Sequence, residues 1–217
     1  KTLLPGFNDS HMHLLSYGKT LDMVDLNGVA SIEELKFKVK RFIEKNKIPD
    51  GKWVLGRGWN HEMFKEKRMP NRYDLDEISE RHPIVLTRTC GHIRILNTKC
   101  MKISGLDKDI EIQSGKIFKD ENGKPIGIFA EQGTKKLIYR NKPKLTAEEI
   151  KKYILFAADK FRKSGLTSVH TDDFEAEAQN EGFQEILDAY YELSDEGSLP
   201  IKVNHELQLK NIEDLDI

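Results

Sequence analysis

Cysteine is nearly missing from this chain: its 217 residues hold two, Cys90 and Cys100. Two thiols cannot build a disulfide framework, and this pair lacks the spacing of a zinc ribbon. Long apolar runs are missing too, with no stretch near the roughly 20 residues that a membrane helix needs and none that reads as a secretory signal. A charge imbalance is also absent, since 35 Lys and Arg face 36 Asp and Glu for a formal net charge of −1. That balance removes any global electrostatic drive toward nucleic acid or a membrane surface, and no RNP-like or helix-turn-helix pattern appears. The lysines between Lys36 and Lys47 read as the solvated face of a helix. No internal repeat or low-complexity tract is evident. These absences lead us to expect a cytoplasmic protein with both thiols reduced, buried and inert, and with neither nucleic acid nor membrane as partner.

What remains is an ordinary globular composition, 38% hydrophobic and 33% charged, long enough to bury a substantial core. The most informative stretch is Leu4 to Leu15, LPGFNDSHMHLL. In a strand, side chains alternate between faces, so His11 and His13 share one face, Asp9 falls on it as a neighbour, and Met12 takes the other. Two imidazoles on one side of a strand are half of a metal site, suited to zinc, nickel or iron. Surface or core histidine pairs share this spacing, so spacing alone leaves the structural reading open.

Along the chain, Ser16 to Ala30 reads as a loop. Ser31 with Glu34 forms a capping box for a helix over about 32–46, which Pro49, Asp50 and Gly51 end. Trp53 to Leu55 reads as a short strand, Gly56 to Asn60 (GRGWN) as a glycine-rich bend, and Leu75 to Ser79 as a short helix. Pro83 to Thr89 is a strand leading to Cys90-Gly91-His92, and Asn97 caps a helix that stops at Gly105. Asn122-Gly123 between Lys116–Asp120 and Pro125–Ala130 signals a hairpin. Thr146 with Glu149 opens a second helix that Gly165 closes, followed by the strand Leu166–His170, a helix around Phe183 to Tyr190, and the strand Ile201–Leu209. Strand, helix, strand, helix, strand implies parallel strands joined by right-handed crossovers.

Five markers in order, PGFNDSHMHL, GRGWN, PIVLTRTCGH followed by Asn97, GKIFKDENGKPIGIFAE and GLTSVHTDD, closely resemble the amidohydrolase superfamily. The branch they resemble is amidohydrolase family 3, that of the YtcJ-like hydrolases and N-substituted formamide deformylases, and the resemblance covers nearly the whole chain. It implies an α/β fold: a (β/α)₈ TIM barrel of the metal-dependent hydrolase type, here partial, carrying an α+β insertion domain. The expected division is 1–51 for the first barrel strand and helix, 52–142 for the insertion and 143–217 for further barrel units. Such a barrel needs about 250 residues, whereas roughly 125 remain outside the insertion. With a start at Lys1 and an end amid strand and helix signals, the expectation is a portion of a longer protein.

The resemblance further implies metal-assisted hydrolysis of a carbon–nitrogen bond in a small-molecule amide or formamide. His11 and His13 would bind a divalent metal, zinc foremost, as one or two ions. The bridging carboxylated lysine, two more histidines and the general-base aspartate would lie beyond Ile217, leaving this portion alone inactive. Trp59, His92, Glu131 and His170 are candidate substrate contacts. Each has a plainer reading: a packed Trp, a structural His, an acid at a helix start, and a histidine with no partner at recognisable spacing. Asp172 and Asp173 read as caps of the helix that follows them. A partial barrel would expose strand edges, so association with another copy or with the rest of the chain is expected. An independent binding module built on the α+β insertion is the competing reading.

Overall fold

The computed structural model describes residues 3–108, 110, 112, 114–176 and 181–207. In chain order the elements are β1 (Phe7–Met12), α1 (Leu14–Thr20), β2 (Val24–Asp25), α2 (Ile32–Lys45), β3 (Val54–Trp59), α3 (Arg72–Asp76), β4 (Ile84–Arg88), β5 (Ile93–Leu96) and α4 (Thr98–Ser104). Then come β6 (Lys116–Lys119), β7 (Pro125–Ala130), α5 (Gln132–Tyr139), α6 (Ala147–Lys163), β8 (Leu166–Thr171), α7 (Asp173–Ala176), α8 (Phe183–Asp195) and β9 (Lys202–His205). They form two compact units, residues 1–22 with 143–217, and residues 23–142.

The first unit holds a three-stranded sheet in the order β1-β8-β9, with both pairings parallel. Helix α6 starts at a reciprocal capping box between Thr146 and Glu149 and buries Ile150, Ile154, Ala157 and Ala158. These side chains join Leu14 and Leu15 of α1, Val169 of β8, and Ile186, Ala189 and Leu193 of α8 in one core. Each large aliphatic there contributes about 2–5 kcal/mol against truncation to Ala. Helix α1 approaches α6 closely because Gly18 has no side chain: a Cβ there would lie 2.2 Å from the Tyr153 carbonyl oxygen.

The second unit holds a six-stranded mixed sheet in the order β2-β3-β4-β5-β7-β6, parallel from β2 to β4 and antiparallel beyond. Both faces are covered. Ile84 and Leu86 of β4 pack with α2, while Val85 between them packs with α4 and with Ile138 of α5. The β6–β7 hairpin turns where the Asp120 carboxylate accepts the backbone N–H groups of Asn122 and Lys124.

Several expectations change. Ser16 to Ala30 is not a loop throughout, since it contains the end of α1 and all of β2. Helix α2, expected beside the first barrel strand, buries Ile32, Leu35 and Val39 against Val54, Trp59 and Leu86, so the second unit begins at residue 23 rather than 52. GRGWN is no bend but the body of β3: Gly56 fits beneath Leu86 and Leu26, and Gly58, at φ +110°, sits where a Cβ would meet Asn27. Strand β5 was not anticipated, and of helix α5 only its start after Glu131 was. Of the strand expected over Ile201–Leu209, Lys202–His205 is extended, and residues 208 and 209 lie outside the described residues. Cys90 is exposed rather than buried, while Cys100 is buried as expected.

Candidate metal centre

The C-terminal ends of β1, β8 and β9 lie side by side, and the two paired histidines stand among them. Met12 pairs with Thr171, and Thr171 with His205. The Asp172 N–H donates to the Met12 carbonyl at 2.8 Å and the Glu206 N–H to that of Thr171 at 3.0 Å, so the ladder runs one residue past each strand. The residues just beyond the strands are thereby held by backbone bonds.

His11 lies in β1, and His13 follows the strand as the N-cap residue of α1. Their ring centroids are 5.4 Å apart with the planes 79° to one another. Asp9 does not stand beside them as a third group: its Oδ1 accepts the His11 N–H at 3.1 Å where the β1 register is irregular. Histidine is a poor cap, and His13 makes no side-chain cap bond. The missing caps come from β8 and the residue after next. Thr171 Oγ1 accepts the Leu14 N–H and Asp173 Oδ1 accepts the Leu15 N–H, both at 2.9 Å.

Asp173, fully buried, also accepts the Tyr190 hydroxyl at 2.6 Å. Burial, reinforced by that carboxylate, pushes the Tyr190 phenol well above its ordinary value. Asp173 thus contributes a cap to α1, a helix other than the one in which it lies.

Released from capping, the His13 ring places Nδ1 2.7 Å from the Asp172 carbonyl oxygen. A carbonyl only accepts, so Nδ1 carries a proton, and in the neutral ring Nε2 is then the nitrogen with the lone pair. The Nδ1 of His11 lies 3.0 and 3.1 Å from the two Glu206 carboxylate oxygens. Both imidazoles are therefore prepared as Nε2 donors, the arrangement that metal-ligating histidines adopt when a carbonyl or carboxylate holds the other nitrogen. This chemistry fits a divalent cation. The set is incomplete among the described residues, where no three His, Cys, Asp or Glu side chains gather as a cage.

The other sequence candidates have different surroundings. His170 is exposed on β8, on the opposite face from the buried Val169 and Thr171. In the second unit, the His92 Nδ1 lies 3.2 Å from Glu131 Oε2, and Glu131, at φ +71°, precedes α5 without capping it. These two candidates are brought together. Trp59 is fully buried in the core of the second unit, its indole N–H donating to the Leu86 carbonyl at 3.1 Å. Glu206 and the carbonyl of Asp172 were missed, because their partners lie 195 and 159 positions away.

An α/β unit with paired histidines at the C-terminal ends of parallel strands is the class of arrangement used by metal-dependent hydrolases. Residues 1–216 match the pattern described as "Amidohydrolase family", and the chain belongs to that family. It is 27% identical over 172 residues to the "Putative amidohydrolase YtcJ" of Bacillus subtilis (strain 168), covering 79% of this chain and 32% of that protein. It is 32% identical over 134 residues to the "N-substituted formamide deformylase" of Arthrobacter pascens, covering 60% of this chain and 24% of that one. Among solved structures, an uncharacterized metal-dependent hydrolase from Pyrococcus horikoshii superposes with a TM-score of 0.68 at 29% identity, over 94% of this chain and 36% of that chain. One from Pyrococcus furiosus gives 0.66 at 32% identity, over 94% and 37%. The chain thus spans about a third or less of the length of these relatives. Among the described residues, no helix is long and apolar enough to cross a membrane.

Proposed function

We propose that this chain supplies the two-histidine half of the metal centre of an amidohydrolase that cleaves a non-peptide carbon–nitrogen bond, in an amide or formamide. The observation that carries this reading is the Nδ1 bond from His13 to the Asp172 carbonyl, made while Thr171 and Asp173 take over the capping of α1. A structural histidine at a helix start has no need of such relief. A divalent metal, zinc by preference, would supply a water acidified toward neutral pH and would polarise the substrate carbonyl. His11 and His13 would hold it through Nε2, and further ligands and a carboxylate base would come from outside the described residues.

The parallel β1-β8-β9 sheet suits a segment of a (β/α)₈ barrel, and residues 23–142 suit a domain inserted after its first strand. Both edges of that sheet, β1 and β9, lack a further partner among the described residues, which favours association with more barrel or with a second copy. His170, His92 and Glu131 are retained as substrate contacts, and a cytoplasmic location is retained with them. The test is a panel of N-substituted formamides and simple amides given to the intact protein before and after chelation. Amine release that chelation abolishes and zinc restores is expected. Release indifferent to chelation would refute the reading.

A further inference from the structure

We propose that Glu206 is a positioning residue for this centre: its carboxylate accepts the Nδ1–H of His11 and so presents Nε2 of that imidazole to a divalent cation. The inference rests on the reading of His11 and His13 as ligands and extends it to a residue that no sequence motif marks.

Three observations support it. Glu206 follows β9, and its own N–H is tied to the Thr171 carbonyl, so its backbone is fixed one residue past the strand end. Its two carboxylate oxygens lie at nearly equal distances, 3.0 and 3.1 Å, from the same ring nitrogen. The contact parallels the one that His13 makes with Asp172, so the two ligand histidines are oriented by successive strands, one through a carbonyl and the other through a carboxylate. A carboxylate behind a ligating imidazole also makes it more basic, which strengthens its bond to a cation. The alternative is an ordinary surface ion pair between partly exposed groups, of little energetic weight. A third possibility, Glu206 as a ligand itself, requires its oxygens to leave His11.

Two variants separate these cases in the intact protein. Glu206→Ala removes the acceptor, whereas Glu206→Gln keeps an oxygen that can accept from Nδ1–H but is a poor metal ligand. Nitrogen-15 histidine spectra of the zinc-free protein at about pH 8, where imidazole is ordinarily neutral, report which nitrogen of His11 carries its proton. Zinc affinity is measured alongside by competition with a chelator.

Positioning requires that Glu206→Ala move the His11 proton away from Nδ1 and weaken zinc binding about 10–100-fold. Glu206→Gln should keep the proton on Nδ1 and recover most of the affinity. An unchanged His11 spectrum in Glu206→Ala, with zinc still bound by the wild type, overturns this inference alone. Equal loss of affinity in both variants, with the proton still on Nδ1 in Glu206→Gln, overturns it in favour of direct ligation. Failure of the wild type to bind zinc overturns the metal centre and the role of Glu206 in it, whatever the spectra show.

Discussion

Replacing Asp173 by Ala tests how the first unit holds His13 in place. The carboxylate is fully buried and accepts from two buried donors, the Leu15 N–H at 2.9 Å and the Tyr190 hydroxyl at 2.6 Å. Leaving a buried donor unsatisfied costs about 1–3 kcal/mol, so two orphaned donors give about 2–6 kcal/mol, and a loss of about 3–4 kcal/mol is expected. Helix α1 has no acidic residue in its own first turn, so the variant also removes a negative charge from that helix terminus, worth a further ~0.5 kcal/mol. Tyr190→Phe, which removes one of the two donors, should cost about 1 kcal/mol. The double variant should then be milder than the sum of the singles by about 1–2 kcal/mol, because one orphan no longer exists. Urea unfolding of the intact protein, with hydrogen exchange followed on the segment 14–20, gives both numbers. A Leu15 amide that exchanges no faster in Asp173→Ala, or strict additivity with Tyr190→Phe, would refute the reasoning.

Asp74 should stabilise the second unit in a pH-dependent way. Burial alone would raise its carboxyl, but the Arg68 guanidinium, at 2.7 and 2.8 Å, and the Asn71 N–H outweigh that and hold it below the ordinary range. A folded pKa below the unfolded one means stability fully present above the unfolded value of about 3.9 and lost as pH falls through the folded value. Asp74→Asn should therefore flatten the loss of stability on acidification below about pH 5, and an unchanged slope would contradict this. The two thiols should separate under alkylation. Partial burial raises Cys90, but the Arg88 side chain and the His92 and Ile93 N–H groups prevail and leave it below the ordinary thiol value. Burial, only partly opposed by a hydrogen bond with Ser104, pushes Cys100 up to about 12. Iodoacetamide with mass spectrometry should label Cys90 in the native protein at neutral pH and Cys100 only on unfolding. Native labelling of Cys100 at a similar rate would argue against this core.

The parts of this molecule legible in the sequence are those whose causes are local. Thr146 with Glu149 and Asn97 before Thr98 cap the helices they were expected to cap, because a cap acts within four residues. The hairpin over Lys116–Ala130 follows from its Asn-Gly turn and the Asp before it. Helix α1 was hidden for the opposite reason: its N-terminus carries no capping side chain of its own, and its caps arrive from Thr171 and Asp173. The apolar stripe of α2 revealed that one face is buried, but not that Trp59 and Leu86 bury it. Paired glycines in β3 imitate a bend when read locally, yet close packing on Leu86 and Asn27 requires them there. The two histidines stood out through their spacing together with the family resemblance of the residues around them. The carboxylate and carbonyl that orient them did not, since a long stretch of chain separates each from its imidazole.

The metal content of the intact protein is the most direct measurement of the central claim. Purified wild type, dialysed against metal-free buffer and assayed by inductively coupled plasma mass spectrometry, should retain tightly bound divalent metal, zinc in the first instance. His11→Ala and His13→Ala should each lose it while keeping the wild-type circular dichroism spectrum. Wild-type metal content in both folded variants would contradict the assignment of His11 and His13 as ligands.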